Sequence, residues 1–158
     1  MDTTNKMYHK LIERPEKLAK AGHITKALVL IKAIADERYK KEAILHLIVL
    51  VLLENQKFDQ SIEILEKIKP YFTDKEILDE LIHDATFCII LALASNNLLD
   101  RALVMTSGIM KTSQKNNVLS NLAISLSDNG QKDQAVAIAD KISDPLLKIS
   151  TLKTIHFN

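Results

Sequence analysis

The sequence predicts an all-α protein built from stacked helical hairpins, and three observations carry that expectation. The first is a pattern present four times: Gly22, Thr25, Ala27, Ile34; then Gln56, Asp59, Ser61, Ile68; then Asn97, Asp100, Ala102, Ile109; then Gly130, Asp133, Ala135, Ile142. Each copy reads as a turn residue, a helix N-cap, a small residue that lets two helices approach, and an isoleucine. The second is the interval between copies, 34, 41 and 33 residues counted from positions 22, 56, 97 and 130, which is the period of helical-hairpin repeats. The third is composition: three glycines, three prolines and no tryptophan disfavour a loop-rich β architecture, and alanine, leucine, isoleucine and lysine suit helices.

Taken in chain order, the polar segment 1–14 precedes Pro15, which is expected to break the first helix. Repeats are expected at about 15–35, 36–69, 70–111 and 112–143, followed by a capping helix at 145–156, all in one domain spanning 1–158. In the second repeat Ile44, Ile48 and Leu52 recur every four residues, giving a helical apolar face that ends at Asn55-Gln56. Asp59 caps the return helix, which carries Ile62, Leu65 and Ile68. The long interval adds seven residues, and Thr73-Asp74-Lys75-Glu76 reads as a capping box, so the third repeat opens with a long helix from about Asp74 to Ser95 that projects beyond its neighbours. Ile89, Ile90 and Leu93 precede its turn at Asn96-Asn97, with Leu103 and Ile109 beyond.

In the fourth repeat Val118, Leu119, Leu122, Ala123 and Leu126 form one face, and Asp128-Asn129-Gly130 stops the helix. Asp133 caps the next, with Ala135, Val136, Ile138, Ala139 and Ile142 inward. Asp144 as N-cap and Pro145 at the first helical position start a last helix, whose Leu146, Ile149, Leu152 and Ile155 are expected to face inward.

Size and charge exclude several classes. At 158 residues, 47% hydrophobic and 26% charged, the chain can bury a core of its own. The single cysteine, Cys88, forms no internal disulfide. The runs 44–53 and 87–94 are too short for the ~20 apolar residues of a membrane span, so a cytoplasmic protein without membrane contact is expected. Residues 1–41 carry ten basic and five acidic groups, 42–100 four and eleven, and 101–158 seven and four, which sums to +1. Such asymmetry either steers a charged partner or lets neighbouring repeats complement one another. An acidic middle and seven aromatics argue against nucleic acid.

At these residues the chain resembles the tetratricopeptide repeat (TPR) family. The period, the turn positions Gly22 and Gly130, the small residues Ala27, Ala102 and Ala135, and the leucine four before each turn (Leu18, Leu52, Leu93, Leu126) carry the resemblance over about 15–156. The family's aromatic near the start of the first helix is absent, its tyrosine position is leucine, and its late proline is missing or displaced. The resemblance implies a right-handed α-solenoid of about four TPR-like hairpins plus a C-terminal capping helix, its first helices lining a concave groove for peptides or partner helices. Carried onto this chain, the groove positions are His46, Leu50, Leu53 and Glu54, then Asp84, Phe87, Leu91 and Ser95, then Asn117, Ser120, Ile124 and Asp128. The set is apolar in the middle, polar or acidic at its edges, and without Lys or Arg, which suits an apolar or amphipathic segment. Both central helices are apolar nearly all round, so Leu50, Leu53 and Leu91 fit a buried core or a self-association surface as well.

Three further features bear on chemistry. Glu76, Glu80 and Asp84 form an acidic stripe at helical spacing, suited to a basic partner or to solvent. Glu80 and His83 have the Glu-x-x-His spacing of di-iron bundles but lack a second copy, and His46 with Glu42 or His9 with Glu13 fit adjacent places on a helix face. Cys88, between Phe87 and Ile89, reads as a small core residue. With no phosphate-binding loop and no triad, the expectation is a non-catalytic module without cofactor or metal, whose partner is another protein or peptide. The alternatives are a small secretion-type chaperone holding one client and a self-associating scaffold such as a homodimer.

Overall fold

The computed structural model describes residues 3–157, with side-chain environments from Lys10 onward, and all regular structure among them is helical. The chain forms two compact units, Met1–Ile89 and Ile90–Asn158. The first contains α1 (Thr3–Lys20), α2 (Ile24–Lys32), α3 (Glu37–His46) continued by a π-helical segment (Leu47–Leu53), α4 (Phe58–Lys67), a 3₁₀ turn (Lys69–Tyr71) and most of α5 (Lys75–Ser95). The second contains the end of α5, α6 (Leu99–Ser107), α7 (Thr112–Asp128), α8 (Lys132–Ala139) and α9 (Pro145–Phe157).

The four copies of the sequence pattern become four turns with one hydrogen-bond scheme. Gly22, Gln56, Asn97 and Gly130 all lie in the left-handed region, at φ of 84°, 55°, 61° and 79°. The next residue's N–H reaches back to the repeated leucine: His23 to Leu18 O (2.8 Å), Lys57 to Leu52 O (2.8 Å), Leu98 to Leu93 O (2.9 Å) and Gln131 to Leu126 O (2.9 Å). Together with the bonds from the turn residue's own N–H, such as Gly130 to Ser127 O at 2.9 Å, this is the Schellman motif. The small residue follows by the same logic. Ala27, Ser61, Ala102 and Ala135 donate the first N–H of the return helix to the linking residue's carbonyl, and all four are fully buried.

This scheme moves the caps. His23, Lys57, Leu98 and Gln131 occupy the N-cap positions without a side-chain bond, because the residue closing the Schellman turn is also the one that opens the next helix. Thr25, Asp59, Asp100 and Asp133 therefore sit in the first turn, where the three aspartates complement the positive end of the helix dipole instead of capping it.

The turns also set a stability test. A Cβ at Gly130 would meet nothing within 4 Å, so only backbone conformation decides the residue there. A left-handed non-glycine residue costs about 1–2 kcal/mol, partly offset by glycine's larger unfolded-state entropy. Gln56→Gly is therefore expected to raise the unfolding free energy by roughly 0.5–1 kcal/mol, and Gly130→Gln to lower it comparably, both read from urea melts.

Three other expectations change. Pro15 does not break α1, which runs without interruption from Thr3 to Lys20 with Pro15 buried inside it. The proline removes one donor and the helix continues on either side. The capping box is replaced by a cap from Asp74, whose carboxylate accepts from the Glu76 and Ile77 N–H groups at 2.9 and 3.2 Å. The polar partner for Thr73 comes from α3: Glu37 accepts from the Thr73 N–H and hydroxyl and from the Asp74 N–H, at 2.7–2.9 Å.

The largest change concerns α9. It starts as expected at Pro145, with Asp144 accepting from the Leu147 N–H at 3.0 Å. Its buried residues, however, are Thr151 and Ile155, while Leu146 and Ile149 are 81% and 52% exposed. Thr151 donates to Leu147 O (2.7 Å), and the Ser120 hydroxyl of α7 lies 2.7 Å from the same Thr151 oxygen. With the threonine proton committed, Ser120 is the donor in that pair. The polar pair thus lies on the buried side of α9 beside Ile155, and each hydroxyl there has a partner.

Candidate functional site

Within the first unit, the apolar stretch after α3 widens into a π-helix over Leu47–Leu53. A π turn holds more residues than an α turn, and here Val51, Leu52 and Leu53 are buried consecutively. Asn55 then folds its side-chain amide back onto Val51 O (2.6 Å), supplying a donor at the end of the widened segment. Ile44, Ile48 and Leu52 form the fully buried side, as the spacing requires. Leu50 emerges on the other side, 37% exposed.

The residues assigned to the groove distribute between the two units. In the first, Leu53 is core, Phe87 half-buried and Glu54 exposed. His46 points at Glu16 of α1, with 2.9 Å between Nε2 and Oε2. In the second, Leu91 and Ile124 are half-buried and Ser95, Asn117 and Asp128 exposed. Ser120 is buried against Thr151, so its hydroxyl is engaged internally. Ser95 donates to Leu91 O at 2.9 Å.

The acidic stripe meets a cation from its own chain. Lys41 Nζ lies 2.9 Å from Glu80 and 3.2 Å from Asp84. Burial pulls the Lys41 pKa down, but the hydrogen bonds and charges of these two carboxylates outweigh it and hold the ammonium above its ordinary range. The Lys41 hydrogen bond and charge in turn hold Glu80 below the ordinary glutamate range. Glu76, a turn earlier, is exposed. Glu80 is thus committed to Lys41, and no group of three His, Cys, Asp or Glu side chains suited to a metal exists among the described residues. The His9 side chain lies outside the described residues. Burial, then the Asp84 charge, pushes the Cys88 thiol up, which keeps it protonated rather than nucleophilic.

Reading the sequence alone missed Glu37, Lys41 and Glu16 as organising residues, because their partners lie about 30–40 positions away. Glu37 yields a pH prediction. The Thr73 N–H, then the Thr73 hydroxyl and the Asp74 N–H, lower its pKa from the ordinary value. A carboxylate whose folded pKa is depressed contributes stability above its unfolded pKa and loses it as pH falls through the folded one. Glu37→Gln is expected to be less stable than wild type at neutral pH, with the difference closing as pH falls below the ordinary glutamate range. Thermal melts in a pH series read this directly.

A separate concave feature lies between α1 and α2, an open depression of about 330 Å³ lined by Arg14, Leu18, Thr25, Lys26, Val29 and Leu30. Val29 is 61% exposed there. The sequence held one signal for it: Val29 occupies the outward place of the return helix, seven after the turn residue, where the other repeats have Glu63, Val104 and Ala137.

Compared with protein-family models, curated proteins and solved structures, the chain gives no match. No helix among the described residues is long and apolar enough to cross a membrane.

Proposed function

We propose that the chain is a TPR-like, right-handed α-solenoid acting as a non-catalytic protein-interaction module, which holds an apolar or amphipathic segment of a partner against the inner face of its first helices. The observation that carries this reading is Leu50. It keeps a third of its surface open (37%) beside three consecutive buried neighbours, at a position the repeat layout assigns to that inner face. Apolar surface left open beside a filled core is surface that a partner's apolar side chains can cover. Four turns of one geometry support the repeat layout itself. A small secretion-type chaperone is the special case in which the partner is a single client.

Leu50→Glu tests the reading. Wild type is expected to retain a partner from native lysate that the variant loses, with both equally helical by circular dichroism. Identical captured sets from two folded proteins would remove Leu50 from the site.

A further inference from the structure

We propose that the depression between α1 and α2 is a second docking surface, selective for an acidic amphipathic helix of another protein. Its lining pairs apolar Leu18, Val29 and Leu30 with two cations, Arg14 and Lys26, and includes no acidic side chain. Neighbouring lysines of α1 are neutralised within their own helix, Lys17 by Glu13 and Lys20 by Glu16. Arg14 and Lys26 have no ion-pair partner among the described residues. They belong to a stretch, 1–41, with a net charge of +5. The arrangement is an apolar anchor site with unspent positive charge beside it, complementary to a helix that carries leucine-like anchors flanked by Asp or Glu.

Shape selects a helix over a bilayer. A concave furrow of about 330 Å³ accepts a few anchoring side chains, whereas a flat lipid surface would leave it unfilled. Docking of a second copy through its α9 is disfavoured by charge. The exposed apolar side chains of α9, Leu146, Ile149 and Phe157, accompany Lys148 and Lys153 on a helix without any acid. The apolar side of acidic α4, at Phe58, Ile64 and Leu65, is already buried.

Leu50 is not among the residues that line the depression, which permits a test that separates the two. The probe is a fluorescent synthetic helix with leucines at i, i+3, i+4 and i+7 and glutamates on both flanks. Its comparators are a scrambled peptide, a counterpart with lysine for glutamate, and vesicles of phosphatidylcholine and phosphatidylglycerol in equal parts. Anisotropy is expected to show saturable, salt-weakened binding of the acidic helix alone, with amide NMR shifts centred on residues 14–30. Arg14→Glu/Lys26→Glu should weaken binding by about tenfold or more, Val29→Glu likewise, and Leu50→Glu should leave it unchanged. All three altered positions in the depression are exposed, and circular dichroism verifies the fold of each variant. The proposal is overturned by absence of saturable binding, by equal binding of the scrambled or lysine peptide, by binding of vesicles in place of the peptide, or by indifference to charge reversal. Loss of binding in Leu50→Glu would instead merge this surface with the other and overturn its independence.

Discussion

Leu52→Ala is expected to lower the unfolding free energy by about 2–5 kcal/mol, whereas Leu50→Ala, two positions earlier, should cost less than about 1 kcal/mol. Both leucines belong to one π-helical segment and are equivalent by composition. Leu52 is fully buried, and its carbonyl also receives the Lys57 N–H of the Schellman turn. Truncation there removes packed atoms and leaves a cavity beside a rigid turn that limits collapse. Leu50, 37% exposed, has little packing to lose. Urea melts of the two variants measure the contrast. Equal costs would mean that Leu50 is core, and the proposed role of its surface would fall with that result.

Thr151→Val is the second large effect, expected at about 1–3 kcal/mol despite its nearly unchanged shape. The substitution removes the acceptor for the Ser120 hydroxyl and strands a donor among buried groups. Ser120→Ala/Thr151→Val removes both partners and should recover part of the loss, since two matched apolar groups leave nothing unpaired. A double-mutant cycle by thermal melts reads the coupling. Additive costs would show that the hydroxyl pair does not fix α9, and another cause for its rotation would be required.

Much of the fold was legible because its signals are local. A turn that requires a left-handed residue leaves glycine, asparagine or an equally exposed polar residue at a fixed distance from a small residue and a leucine. Four such sets at Gly22, Gln56, Asn97 and Gly130 located four turns that share one hydrogen-bond scheme. The long helix opening near Asp74 and the Asp144-Pro145 start of α9 were readable for the same reason, since a cap and its N–H partners are sequence neighbours.

The candidate surfaces were less legible. Which side of an almost wholly apolar stretch faces out is not encoded in its apolarity, and in the π-helical segment Leu50 faces out while Val51 to Leu53 are buried. Spacing alone leaves the acidic stripe open, whereas Lys41, from another helix, pairs with both Glu80 and Asp84.

The sequence by itself determined the all-helical class, the places of the turns and the order of the helices, because backbone propensity, turn chirality and capping act over a few residues. Tertiary structure alone decided the rotation of α9, the outward place of Leu50 and the pairing of charges between helices. Those depend on which polar groups meet partners some 30 positions distant, as the exposed Thr73 meets Glu37 and the buried Ser120 meets Thr151.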